Sequence, residues 1–510
     1  MNIWIVTTGS SDVKLKTDEN WGNLFRNARN QLYDRRFAPT QPPNTDDSEP
    51  FVVPARAMGI VYGTQLTDEY YQDLLFPLFD AFSKELLKKG KTTPDRIILI
   101  LTNQEAVFNE EEDRRLDKSP YWQDTCTLRP IFEQYFKIKF PKVKKIDYLE
   151  LKPQSKIDGL DNWDKALLLV QKEIFSLNFD KNATVYVSHQ AGTPAISSAV
   201  QFVSLAKFGK KVTFLVSNEY EQKSADVIES SSYLQGMQVQ EAKALLSRYD
   251  YQGVERILKD YLQDSSDPLL LEISDLLKMA VQWNCAKFED FGKARGEVAE
   301  ERLKHWWWMS YEAAYLGVVR LRQGNTVEAL FHSFRAVEGS IKEWALDKYK
   351  PQIKYSNPKQ PNTAYIHDLN LPDGLRHWFN SHKNRDYNNV GLFGKALFTL
   401  LEASHSQTEW KQNSDIQVVA ANTIEERNTT FHCLRGLEEK EVFQAWKTDS
   451  REKWEARVLG CLNFVSKQKF VSLKSASLMA KVHEELVDAI ARYELQTSTK
   501  APNTTKKPGF

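Results

Sequence analysis

The sequence has 510 residues, 41% hydrophobic and 27% charged, with Lys+Arg and Asp+Glu both at 68 and a formal net charge of zero. That length exceeds one ordinary core and sets a prior of about three domains. The charge balance argues against recruitment to nucleic acid by bulk electrostatics, while allowing a local basic cleft.

The cysteines Cys126, Cys285, Cys433 and Cys461 lie far apart and form no CxxC pair. A disulfide framework or structural zinc is not expected, and free thiols fit a reducing compartment. Met1–Val6 (MNIWIV) lacks the basic region and long apolar stretch of a signal peptide, and no apolar run approaches the roughly 18 residues of a membrane span. The expectation is a soluble, cytoplasmic protein with no membrane partner.

The N-terminal part alternates short β-branched runs with amphipathic stretches. Asn2–Thr8, Arg96–Thr102, Lys144–Leu149, Thr184–Ser188 and Val212–Ser217 read as buried strands. Between them, Thr67–Lys89, Leu128–Phe140, Trp163–Ser176 and Ala195–Phe208 read as helices. Such alternation predicts βαβ units and an α/β, Rossmann-like, mostly parallel sheet. Ala38–Pro50 is polar and Pro-rich, a long surface loop, and Asn109–Arg115 (NEEEDRR) reads as a solvated helix face or loop.

Beyond about Glu219 the strand pattern stops and an all-α reading takes over. Val239–Tyr249 pairs with Gly253–Gln263, and Met309–Gln323 with Thr326–Tyr349, across turns at Asp250–Gly253 and Gln323–Asn325. Two imperfect hairpins suit a helical connector better than a repeat array. The aromatic run His305–Met309 (HWWWM) suits packing better than base stacking. Pro351–Pro372 reads as a loop between helices, and the tail from Gln496 as disordered. The resulting division is 1–220, a connector 221–325, a second helical domain 326–495 and a tail 496–510.

The stretch Asn422–Gly436 (NTIEERNTTFHCLRG) carries the clearest chemistry. Thr423 and Glu426 form a capping box and Gly436 a stop, so Arg427 and His432 share one short helix. Five residues turn them about 140° apart, so one copy does not converge on one phosphate and a second chain becomes attractive. An Arg guanidinium holds phosphate oxygens, and a His near its ordinary pKa moves protons at a 2′-hydroxyl or a leaving 5′-oxygen. Together they can cleave RNA without metal, leaving a 2′,3′-cyclic phosphate, with Asn428 orienting either partner. Spacing alone also admits a solvated Arg beside a satisfied His. Arg376 and His382 meet the same spacing rule. No HExxH or other metal spacing occurs among the histidines, so no metal site is expected.

Two loops follow strands at the carboxyl edge, where open α/β sheets bind ligands. Thr7–Asp12 (TTGSSD) follows the first, and Ser188–Pro194 (SHQAGTP) opens the helix Ala195–Phe208, whose free N–H groups suit phosphate. Thr102–Gln104 ends the Arg96 strand. No GxGxxG or GxxxxGK[ST] accompanies them, so a dinucleotide cofactor or ATP hydrolysis is poorly supported. Gly9 and Gly192–Pro194 also suit simple turn and helix-start chemistry.

Arg427-Asn428 followed by His432 matches the HEPN signature, and the sequence resembles the CARF–HEPN ribonucleases, ancillary effectors of type III CRISPR systems. Leu330–Ala345, with Arg335 and Glu338 on its polar side, resembles an earlier HEPN helix. The resemblance implies a CARF-like sensor at 1–220, a HEPN ribonuclease at 326–495 and a homodimer whose composite active site joins Arg and His of two protomers. It implies a two-fold pocket for a cyclic oligoadenylate, lined here by Thr8, Gly9, Ser10, Ser11, Asn103, His189, Gln190, Gly192 and Thr193. It implies no cofactor beyond that activator; the sequence does not reveal the ring size, and cyclic tetra-adenylate is set slightly ahead of cyclic hexa-adenylate. The implied substrate is single-stranded RNA, not DNA, in antiviral defence. Some CARF domains also cut their activator slowly, a task open to His189 or a loop hydroxyl. Two rivals stand beside this reading: a HEPN toxin-type RNase sensing another nucleotide, and a non-catalytic ligand-sensing adaptor.

Overall fold

A computed structural model describes residues 1–33, 35–41, 49–88, 93–116, 119–180, 182–217, 225–263, 265–357, 363–368, 371–384, 388–420 and 436–499. Its described residues form two compact units, Met1–Gly236 and Met237–Thr499.

In the first unit the apolar runs become the strands β1 (Asn2–Thr7), β2 (Arg96–Thr102), β3 (Lys145–Leu151), β4 (Thr184–Ser188) and β5 (Val212–Ser217), joined by β6 (Ala225–Glu229). The sheet order is β3-β2-β1-β4-β5-β6. The first five strands are parallel and β6 is antiparallel to β5. Both faces are covered, which is why the interiors of β1 (Ile3–Val6) and β2 (Ile97–Leu101) are apolar rather than alternating with polar residues. Ile3 and Ile5 enter one core layer with Ile98 and Ile100, while Trp4 and Val6 enter the other with Ile97, Leu99 and Leu101. Helices α1 (Pro77–Leu86) and α2 (Arg129–Lys139) close the Trp4 side, where Phe79, Phe136 and Phe140 ring the indole at 5.7–5.9 Å. Helices α3 (Trp163–Ser176) and α4 (Pro194–Phe208) close the Ile3 side through Val170, Ile174, Ile196 and Val200.

Two expectations change here. The helix expected over Thr67–Lys89 is interrupted: one turn, Asp68–Tyr71, precedes a two-residue strand, Leu74–Leu75, and α1 starts afresh at Pro77. Proline lacks the N–H and disfavours helical backbone before it, so it serves as a first residue and not an interior one. The strand pattern also does not stop at Glu219. β6 (ADVIE) is short, half polar and largely exposed, so only its pairing with β5 reveals it.

The chain passes from the first unit to the second within the helix α5 (Ser230–Ser247). The second unit contains α6 (Tyr251–Leu262), α7 (Pro268–Asn284), α8 (Trp308–Arg322), α9 (Thr326–Lys348), α10 (Arg451–Ser466) and α11 (Leu478–Thr499), with shorter helices between. One buried cluster runs from Val239 to Tyr493. At its centre the carboxylate of Glu312 accepts from Trp283 Nε1 at 2.8 Å, Ser477 Oγ at 2.6 Å and the Leu478 amide at 2.6 Å. Trp307 and Trp308 are buried, and Trp307 meets Tyr311 and Phe470 edge-on at 5.6 and 5.7 Å, so this part of the aromatic run is packing.

The all-α expectation for this half is corrected by a three-stranded antiparallel sheet of Ile353–Tyr355, Ala364–His367 and Asn389–Gly391. Strands of three or four residues are too short to show a period, which is why Pro351–Pro372 reads as loop. Residues Gln496–Thr499, expected in a disordered tail, continue α11, with Tyr493 buried and the Gln496 amide on Asp267 at 3.0 Å.

Candidate functional site

The strand order reverses direction between β1 and β4, and the crevice at such a switch point is where open α/β sheets take ligands. A cleft of about 690 Å³ lies there, lined in part by Thr8–Asp12 after β1, Thr102 and Gln104 at the end of β2, and Gln190–Thr193 after β4. Two glycines let the β1 and β4 loops approach. A Cβ on Gly9 would sit 2.9 Å from the Gly192 amide nitrogen, and Gly192 itself adopts φ +91° with its Cβ position 3.4 Å from the Thr8 carbonyl. Thr193 then caps α4: its Oγ1 accepts the Ile196 N–H at 3.2 Å and donates to the Leu160 carbonyl at 2.6 Å.

Of the nine ligand candidates, seven line this cleft: Thr8, Gly9, Ser10, Ser11, Gln190, Gly192 and Thr193. Their side chains are not equally available. The Thr8 hydroxyl is committed to the Ile100 carbonyl at 2.7 Å and Thr125 Oγ1 at 2.6 Å, and the Gln190 amide pairs with the backbone of Ser217 at 2.5 and 3.0 Å. Ser10 is half-buried and Ser11 exposed.

The other two candidates do not line the cleft. His189 turns into the core, its Nδ1 3.0 Å from Ser197 Oγ and its ring edge-on to Phe214 at 5.4 Å. Burial lowers its pKa, so the ring is neutral at neutral pH. Asn103 donates to Glu150 at 3.0 Å and accepts from the Glu105 amide at 3.2 Å and from Arg56 at 3.3 Å.

The cleft also contains residues that the sequence does not single out. Asp124, fully buried, takes the Arg56 guanidinium at 2.8 Å, the Gln104 amide nitrogen at 2.8 Å and the Gln104 side chain at 3.1 Å. Arg56 lies 3.9 Å from the centre of the Tyr121 ring. This ion pair fixes the cleft wall before any ligand arrives. Asp12 is buried beneath the β1 loop: Oδ2 accepts the Gly9 N–H at 2.8 Å, and Oδ1 has no partner among the described residues. Burial pushes its carboxyl up to about 7, against the pull of the Gly9 N–H and Lys14. Phe108 offers an aromatic ring and Lys156 an ammonium. No local motif marks these positions; a turn acid and a loop lysine look ordinary until the loops meet.

Arg427, Asn428 and His432 lie outside the described residues. On either side of them the chain is anchored. Ile416 and Val419 are buried, and the Leu437 carbonyl accepts the Thr326 hydroxyl at 2.7 Å at the start of α9. Further on, Trp446 stacks on Phe334 of α9 at 4.9 Å and donates to Ser333 at 3.0 Å. Helix α9 contains the expected Leu330–Ala345, with Arg335 exposed and Glu338 accepting the Gly394 N–H at 3.4 Å. In the other pair at this spacing the His is held within the fold and the Arg is solvated. His382 is held by the Trp378 carbonyl at 2.9 Å and Thr399 Oγ1 at 3.2 Å, and Arg376 pairs with Asp373 at 3.0 Å.

Among the described residues no cluster of His, Cys, Asp and Glu could hold a metal ion, and no helix is long and apolar enough to cross a membrane. No family model matches the sequence, and no curated protein matches it. Among solved structures, Enterococcus italicus Csm6 bound to cyclic hexa-2′-fluoro-hexa-dAMP superposes with a TM-score of 0.55 over 96% of this chain and 100% of that chain, at 12% identity. The chain therefore shares its fold with Csm6 over nearly its whole length.

Proposed function

We propose that this chain is a CARF–HEPN endoribonuclease switched on by a cyclic oligoadenylate. The observation that carries the proposal is the switch-point cleft of the first unit, in a chain whose fold matches that of Csm6 holding a cyclic nucleotide analogue. The cleft suits such a ligand. Backbone N–H groups at the start of α4 and the hydroxyls of Ser10 and Ser11 suit phosphates, and Phe108 suits a stacked base.

A cyclic ligand larger than one cleft needs a second copy, and the first unit has a surface for it. Helices α3 and α4 leave Trp163, Leu168 and Phe202 58%, 59% and 62% exposed on the solvent side of the Ile3 core layer. Large apolar side chains gathered on neighbouring helices favour association, and we assign this face to the homodimer. Ring binding across two sensors then shifts the population toward a dimer in which two Arg427/His432 pairs close on single-stranded RNA. Arg427 steadies the phosphate, His432 moves the proton and Asn428 orients them. The reaction proceeds without metal and leaves a 2′,3′-cyclic phosphate. For slow cutting of the activator, the cleft offers the hydroxyls of Ser10 and Ser11, whereas those of Thr8 and Thr193 are committed to backbone carbonyls and His189 to Ser197.

The test is cleavage of a fluorescent single-stranded RNA in EDTA, with cyclic tri-, tetra- and hexa-adenylate added separately. One ring should switch cleavage on, and His432→Ala should abolish it while ring affinity is kept. Ring binding without any cleavage would leave an adaptor; cleavage without any ring would leave a toxin-type RNase.

A further inference from the structure

Among the described residues lining the cleft, Lys156 is the one cation, set against the carboxyls of Asp12, Asp124 and Asp161. Arg56 neutralises Asp124 at 2.8 Å, and the buried Asp12 carboxyl resists full ionisation near neutral pH. The field that an incoming anion meets therefore depends chiefly on Lys156 and Asp161, and of these only Lys156 attracts it. That ammonium is held by Asp113, with Nζ 2.9 and 2.8 Å from the two carboxylate oxygens. Asp113 sits on the short helix Glu111–Arg115 in the excursion after β2, and Lys156 on the turn Lys156–Asp158 after β3. The pair ties two loops together at the rim, beside the Phe108 ring at 5.8 Å from Nζ.

We propose that Lys156 is the phosphate contact of the cleft and that Asp113 is the counter-ion it exchanges for the ligand. The inference rests on the nucleotide-binding reading above and names a recognition residue within that site. The exchange is physically cheap. Lys156 is 60% exposed and Asp113 22%, so water screens the pair from the ammonium side and limits what it contributes. The long lysine stem can swing its point charge from a carboxylate on one side to a phosphodiester on the other. A phosphate oxygen offers a charge-assisted hydrogen bond of at least equal quality. Because Asp113 and the ligand compete for one ammonium, removing Lys156 and removing Asp113 must act in opposite directions. A pair that merely propped the loops would make both removals act alike.

The experiment is the affinity of cyclic tetra- and hexa-adenylate for the full-length protein and three variants: Lys156→Ala, Asp113→Asn and the double substitution. Lys156→Ala should weaken binding on the order of tenfold, the share of one partly solvated charge-assisted contact. Asp113→Asn should tighten it roughly threefold, and the double variant should match Lys156→Ala. Wild-type affinity in Lys156→Ala, or weakening in Asp113→Asn, overturns this assignment alone. A wild-type protein that binds no ring overturns the nucleotide reading and this inference with it.

Discussion

Replacing Asp12 by Asn tests the electrostatics of the cleft floor most directly. Asn keeps the shape and still accepts the Gly9 N–H, but it cannot ionise. In the wild type, burial raises the carboxyl from 3.8 to about 7, so the folded protein holds a proton that the unfolded chain releases across that window. Stability must therefore fall as pH rises from about 4 to about 7 and level off above it, by about 1.4 kcal/mol per pH unit and about 4 kcal/mol in all. Between about pH 5 and about pH 8 the variant should gain about 3 kcal/mol relative to the wild type. Guanidinium denaturation of both proteins in parallel, read on the transition that involves the first unit, measures that difference while other titrations cancel. A second readout is ring affinity, which should weaken above about pH 7 in the wild type, where Asp12 ionises beneath an anionic ligand, and stay flat in the variant. Parallel stability curves would refute the reasoning, because they would mean that Asp12 is ionised in the fold at every pH tested.

Four further outcomes follow from particular contacts. Glu312→Ala strips three buried donors of their acceptor and should cost about 3–5 kcal/mol in chemical denaturation of the second unit. Gly192→Ala forces a side chain into φ +91° and should cost about 1–3 kcal/mol in chemical denaturation of the first unit while weakening ring binding. Leu168→Glu with Phe202→Glu should convert the proposed dimer to a monomer by light scattering and remove ring-stimulated cleavage; an unchanged mass would reject the α3–α4 face. His382→Ala should lower thermal stability through its lost bonds to Trp378 and Thr399 yet leave ring-stimulated cleavage intact at matched folded fraction, in contrast to His432→Ala.

Local signals in the sequence determined the class of the first unit. Unbroken apolar runs mark strands covered on both faces, and Trp163–Ser176 is a helix to the residue because Asn162 caps it and Ala166, Val170 and Ile174 repeat at helical spacing. The Gly9 and Gly192–Thr193 loops were legible for the same reason: turn and cap chemistry lies within a few residues. The Arg427–His432 pattern is expected from the sequence alone, and its residues lie outside those described. Tertiary structure alone decided which loops share a cleft. Asp12, Phe108, Asp124 and Lys156 come from separate stretches, and only the parallel pairing of β1, β2 and β3 brings their carboxyl ends together. It also decided that His189, beside the expected loop, faces Ser197 and Phe214 instead, since side-chain direction at a strand end follows from the sheet it joins. The raised carboxyl of Asp12 has the same origin: burial is a property of the assembled core, and no neighbouring residue in the sequence records it.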